Sequence, residues 1–79
     1  MSKDSFQTKD LGEASALLCS DFPIKSVAVQ NQRCWFNFEA YEQAKNVIER
    51  YWSHKLQVDA QDFFHATNRL KVLIFERTR

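Results

Sequence analysis

Two stretches in which apolar residues recur at every second position flank Asn31-Gln32, and they restrict the chain to folds built around an antiparallel hairpin. On the first arm Val27 and Val29 alternate with Ser26, Ala28 and Gln30. On the second, Cys34, Phe36 and Phe38 alternate with Arg33, Trp35, Asn37 and Glu39. With Asn31-Gln32 at the centre of the turn, Gln30 faces Arg33, Val29 faces Cys34 and Val27 faces Phe36, so both apolar sets share one face. A slip of one residue would turn Phe36 and Phe38 to the wrong side, which makes the register specific. Asn31 suits the positive φ of such a turn, whereas Gln32 is a poorer second residue than glycine. Trp35 stands on the opposite face beside Ala28. Two environments are open to it: cover by a helix or by the segment around Phe6, or exposure to a partner.

On either side of the hairpin the period becomes helical. Leu11, Ala14, Leu17 and Leu18 form a stripe. Thr8 and Asp10 are both suitable N-caps, and Asp10 with Glu13 approximates a capping box. Gly12 weakens the first turn slightly. The helix fades near Ser20-Asp21, because the residue ahead of Pro23 avoids the α region. A second helix is expected from Ala40 to about Leu56, with Tyr41, Ala44, Val47, Ile48, Tyr51 and Trp52 on its apolar side and Glu42, Lys45, Glu49 and Arg50 largely outside it. After an extended Leu56-Gln57-Val58, Asp59 caps a third helix, with Asp62 adding charge near its positive end. Phe63, Ala66, Leu70, Leu73 and Ile74 make its main stripe, and Phe64 and Phe75 widen it on one side. The run Val72-Leu73-Ile74-Phe75 also has strand character, but its phase with the preceding residues favours helix. Ser5 to Thr8 is read as a short extended piece that leaves a third strand open. The expectation is an α+β fold: short N-terminal extended segment, helix, antiparallel hairpin, then two amphipathic helices packed on a two- or three-stranded sheet.

A length of 79 residues suits one domain, expected over 1–79 with an ordered core of about 6–76. One Gly and one Pro leave little for linkers, and 44% of residues are apolar and 14% aromatic. The net charge of +1 argues against a general polyanion binder. Charge is uneven, however. The first 22 residues hold Lys3 and Lys9 against Asp4, Asp10, Glu13 and Asp21, whereas the last stretch holds Arg69, Lys71, Arg77 and Arg79 against Glu76. Cys19 and Cys34 make no disulfide framework, residues 1–10 lack the apolar region of a signal peptide, and the longest apolar run is Val72–Phe75. A cytoplasmic protein with no membrane partner is expected.

Phe6-x-Thr8-x-Asp10-Leu11, Ile24 to Val27 leading to Arg33 and Phe36-x-Phe38, Tyr51-Trp52, Val58-Asp59-Ala60, Phe63 and Leu70-Lys71 together resemble a family of short bacterial and phage proteins catalogued as a domain of unknown function. The resemblance runs from about Phe6 to Phe75. This chain departs from it at the hairpin turn, where Asn31-Gln32 replaces the usual glycine. The resemblance implies a complete small domain and no activity, cofactor or catalytic residue.

The residues themselves argue the same way. Phosphate-cradling loops need several glycines. Cys34 falls on the apolar face of a strand and Cys19 near the end of an amphipathic helix, where thiols are inert. Cys19, Cys34, His54 and His65 lack the local spacing of a zinc site. His54 reads as a solvated helix-end residue and His65 as a surface or helix-edge residue. Asp59, Asp62, Glu39 and Glu42 are explained as helix-start residues. No catalytic residue, cofactor or metal is expected. The contact residues expected are Arg33, Trp35, Tyr41, Phe64, Arg69, Lys71, Phe75 and Arg77, because aromatics and arginine suit interface cores. Trp35, Tyr41, Phe64 and Phe75 are read as aromatic surplus. A protein partner or self-association as a homodimer would bury it. The alternative is a nucleic-acid-binding accessory protein, using Arg33, Trp35 and the C-terminal cations for phosphate contact and stacking.

Overall fold

A computed structural model describes residues 5–39 and 41–78. The expected helix start at Ala40, the cation Arg79, and Lys3 and Asp4 of the N-terminal charge balance lie outside the described residues. The elements run β1 (Ser5–Thr8), α1 (Leu11–Cys19), β2 (Ile24–Gln30), β3 (Arg33–Glu39), α2 (Tyr41–Trp52) and α3 (Ala60–Thr78). The extended piece that sequence left open is a true strand. β1 pairs antiparallel with β3, Phe6 opposite Phe38 and Thr8 opposite Phe36. The sheet order is β1-β3-β2, so β1 and β2 are parallel edges with β3 inserted between them and α1 as their crossover.

The hairpin has the register its alternation requires: Gln30 opposite Arg33, Val29 opposite Cys34, Val27 opposite Phe36. Asn31 and Gln32 both take positive φ, 53° and 65°, as a two-residue hairpin turn demands even without glycine. Cys34, Phe36 and Phe38 are buried beneath the helices, and a bulge at Lys25 returns Ile24 to the face of Phe38.

Thr8 and Asp10 divide the helix start between them. Asp10 is the N-cap of α1, its Oδ1 accepting from the Glu13 N–H at 2.9 Å, while Thr8 Oγ1 accepts from the Asp10 N–H at 3.0 Å. Glu13 does not close the capping box, because its carboxylate is drawn outward by Thr8 and Trp52. α1 ends in a Schellman motif. Asp21 takes φ 70°, Phe22 N–H donates to Leu17 O and Asp21 N–H to Leu18 O.

α2 stops at Trp52, short of the expected Leu56, for the same reason. His54 takes φ 64°, Lys55 N–H donates to Arg50 O and His54 N–H to Tyr51 O, closing the helix before the extended residues. Asp59 caps α3, its Oδ1 accepting from the Gln61 and Asp62 N–H groups. Val72–Phe75 is helical, since Leu73 and Ile74 stay in phase with Phe63, Ala66 and Leu70 along the packed side.

All three helices lie on one side of the sheet, and α1 sits between α2 and α3. Four consecutive α1 residues, Ala14, Ser15, Ala16 and Leu17, are buried; small side chains at three of them admit the flanking helices. The Ser15 hydroxyl meets Thr67 Oγ1 at 2.8 Å, and Thr67 in turn donates to Phe63 O. Among the described residues no helix is long and apolar enough to cross a membrane.

Candidate contact surface

The eight residues singled out by type do not form one patch. Arg33 and Trp35 lie on the helix-free face of the sheet. Trp35 is half-buried there, opposite Ala28, which settles its environment between the two alternatives. Its cover is not a helix. Lys9, just past β1, holds its Nζ 5.7 Å from the ring centroid, a cation–π contact. Around it the surface is polar: Asn37 Nδ2 donates to Ser26 Oγ at 3.0 Å, and Lys25 Nζ reaches across β3 to Ser5 Oγ at 3.3 Å.

Tyr41 is not part of an exposed surplus. At the start of α2 it is half-buried, its ring 6.1 Å from that of Phe6 on β1.

The other five residues are on α3, all exposed, but on two sides of it. At 3.6 residues per turn, Phe64, Lys71 and Phe75 share a strip with Asn68 and Val72 on the outer side. Phe64 is 62% exposed, Val72 54% and Phe75 64%, so Phe64 and Phe75 extend no core stripe. They point too far round the helix to reach α1. Arg69 and Arg77, two turns apart, flank Leu73 on another side and line a groove shared with β2.

Trp52, assigned by phase to the packed side of α2, is 57% exposed. As the last helical residue it swings over α1, and its Nε1 donates to Glu13 Oε2 at 2.6 Å, while Thr8 Oγ1 donates to Glu13 Oε1 at 2.6 Å. Tyr51 packs edge-on against the Trp52 ring at 5.0 Å. Burial, then the Asp10 and Glu13 carboxylates, push the Tyr51 phenol above its ordinary value. Its neutral form is thereby favoured in the folded chain. The associated stability is present below about pH 10 and lost as pH rises through the folded value. Thr8, Asp10, Glu13, Tyr51 and Trp52 thus clasp the start of α1 to the end of α2. Four of them, Thr8, Asp10, Tyr51 and Trp52, are among the residues that carry the family resemblance.

A cleft between the end of α1 and the start of α3 collects Cys19, Asp21, Asp62 and His65. It resembles a nucleophile with its base in composition, but not in geometry. The Cys19 S–H donates to Ala16 O at 3.6 Å, and His65 packs against Phe64. Burial pushes the Cys19 thiol up, the Asp62 and Asp21 carboxylates push the same way, and a thiol so held is a poor nucleophile. Cys34 is buried; both thiols are free. Among the described residues no three His, Cys, Asp or Glu side chains group so as to hold a metal ion.

No curated protein and no solved structure matches the chain. A family model does, over residues 3–76, and it agrees with the resemblance carried by the Thr8–Leu11, Phe36–Phe38 and Tyr51-Trp52 motifs. The chain therefore belongs to the family described as Domain of unknown function (DUF5659).

Proposed function

We propose that the protein is a non-catalytic binding domain of the cytoplasm that acts by protein–protein contact, and that its first partner is a second copy of itself, joined through α3. The observation that carries this reading is the outer strip of α3, where more than half of Phe64, Val72 and Phe75 is in solvent. A small domain loses stability by leaving such surface wet and gains it by association. Antiparallel pairing of two α3 helices about a twofold axis brings the Phe64 end of each strip against the Phe75 end of the other. Two free thiols suit a reducing compartment.

Sedimentation velocity across micromolar to millimolar concentration tests the reading. A concentration-dependent shift toward dimer is expected, abolished by Phe64→Glu. Trp35→Ala, in the other layer of the molecule, leaves it intact. A strict monomer over the whole range overturns the proposal, and a dimer that depends on Trp35 moves it to the sheet face. Single-stranded nucleic acid is the second reading, favoured by Arg33, Lys9 and Trp35 sharing that face. It ranks lower because the Lys9 ammonium holds the side of the ring on which a base would stack. Failure of a labelled oligonucleotide to show salt-dependent binding removes it.

A further inference from the structure

β2 is an edge strand, paired through its backbone on one side only. A groove of about 440 Å³ runs between Pro23–Val27 and α3. It stays open because α3 packs on α1 and β3 rather than on β2. Its floor is apolar: Leu18, Ile24, Val27 and Leu73. Its rim is cationic, from Arg69 and Arg77, and among the described residues no carboxylate lines it.

We propose that this groove binds an extended acidic segment of a partner protein, which adds to β2 as a fourth strand and pairs its carboxylates with Arg69 and Arg77. Edge strands are ready templates for strand addition, and affinity from main-chain bonds with specificity from alternate side chains is the usual result. Spacing defines the segment. Arg69 and Arg77 are eight residues apart on a helix, about 12 Å at the helical rise. Four residues of extended chain cover about 13 Å. An added strand turns positions i, i+2 and i+4 to the helix side, so the order Arg69, Leu73, Arg77 calls for acidic, aliphatic, acidic. The recognised sequence is acidic-x-aliphatic-x-acidic.

The same features select against a second copy of this chain at β2. The bulge at Lys25 blunts the edge, and like copies would set Arg69 and Arg77 against the same cations. An acidic strand meets them with opposite sign. The surface is also distinct from the outer strip of α3, so this site and self-association can fail separately.

The test is fluorescence anisotropy of a labelled peptide with the core Glu-Thr-Val-Thr-Glu, titrated with the full chain at low salt, with amide chemical shifts followed in parallel. Saturable binding with Kd below about 1 mM is expected. Shifts should concentrate at Ile24 to Val29 and at Arg69, Leu73 and Arg77. The double variant Arg69→Glu/Arg77→Glu weakens binding about tenfold or more, since it reverses both charge-assisted contacts. Its unchanged circular dichroism shows that the fold survives. A peptide with Lys at both Glu positions does not bind. Phe64→Glu leaves the affinity unchanged. The proposal is overturned by absence of binding at millimolar peptide, by equal binding of the Lys peptide or of the Arg variant, or by equal displacement with oligothymidylate, which would make the rim a general anion surface.

Discussion

In α1, nine residues long, four consecutive positions from Ala14 to Leu17 are buried, whereas in α3, nineteen residues long, the buried positions among those described are Ala66 and Leu70. The two helices pack against each other, yet α1 lies between α2 and α3, whereas the outer strip of α3 is exposed. The four buried positions put α1 at the centre of the packing, with its half-buried residues confined to the two ends of the helix. The exposed remainder of α3 divides into an apolar strip and a cationic side facing β2, the two surfaces proposed above for contact. On that proposal stability and binding rest on different helices, and substitutions can separate them.

The largest effect should come from α1. Leu17 is fully buried at the centre of the core. Leu17→Ala removes its buried methyl groups and leaves a cavity that small neighbours cannot fill, so a loss of about 2–5 kcal/mol is expected in urea denaturation. A loss below about 1 kcal/mol would mean that α1 is less central than its burial implies.

A smaller test concerns Gly12. A side chain there would collide with the Tyr51 hydroxyl group, which lies over the helix start, so the glycine makes room for the clasp rather than merely weakening the first turn. Alanine is the better helix former by about 1 kcal/mol. The collision should nevertheless make Gly12→Ala a net loss of about 1 kcal/mol. In a Tyr51→Leu background the sign should reverse, to a gain of about 0.5–1 kcal/mol. Without that reversal, contact with Tyr51 is not what keeps the position open.

What could be read from sequence follows the same division. The hairpin was legible down to its register because a period of two and Asn31 at the turn admit one pairing. The main stripe of α3 was legible for a similar reason, its 3.6-residue phase surviving even through Val72–Phe75. The enclosure of α1 was less so: Ser15 and Ala16 lie off its stripe, and the small-residue run Ala14-Ser15-Ala16 was the only sign of close helices. Trp52 was misplaced because phase says nothing of a terminal ring turning back to a carboxylate on another helix. The contact residues were chosen by type, and type carries no direction. That Arg69 and Arg77 share one side and Phe64, Lys71 and Phe75 another follows from periodicity. That the first side faces an uncovered edge strand required the packing of α3 away from β2.

The smallest stability effect is the most informative about α3. Val72 is more than half exposed on the outer strip, so Val72→Ala creates no cavity, and alanine loses less rotamer freedom in a helix than a β-branched side chain. Stability should be unchanged or rise by up to about 0.5 kcal/mol. The same substitution removes apolar area from the strip, so self-association should weaken while the monomer is no less stable. A core residue cannot give that pair of results, because there loss of contact and loss of stability are the same event. If Val72→Ala instead destabilises the chain by more than about 1 kcal/mol at concentrations where it is monomeric, the outer strip is packed within the monomer. The contrast between α1 and α3 then fails.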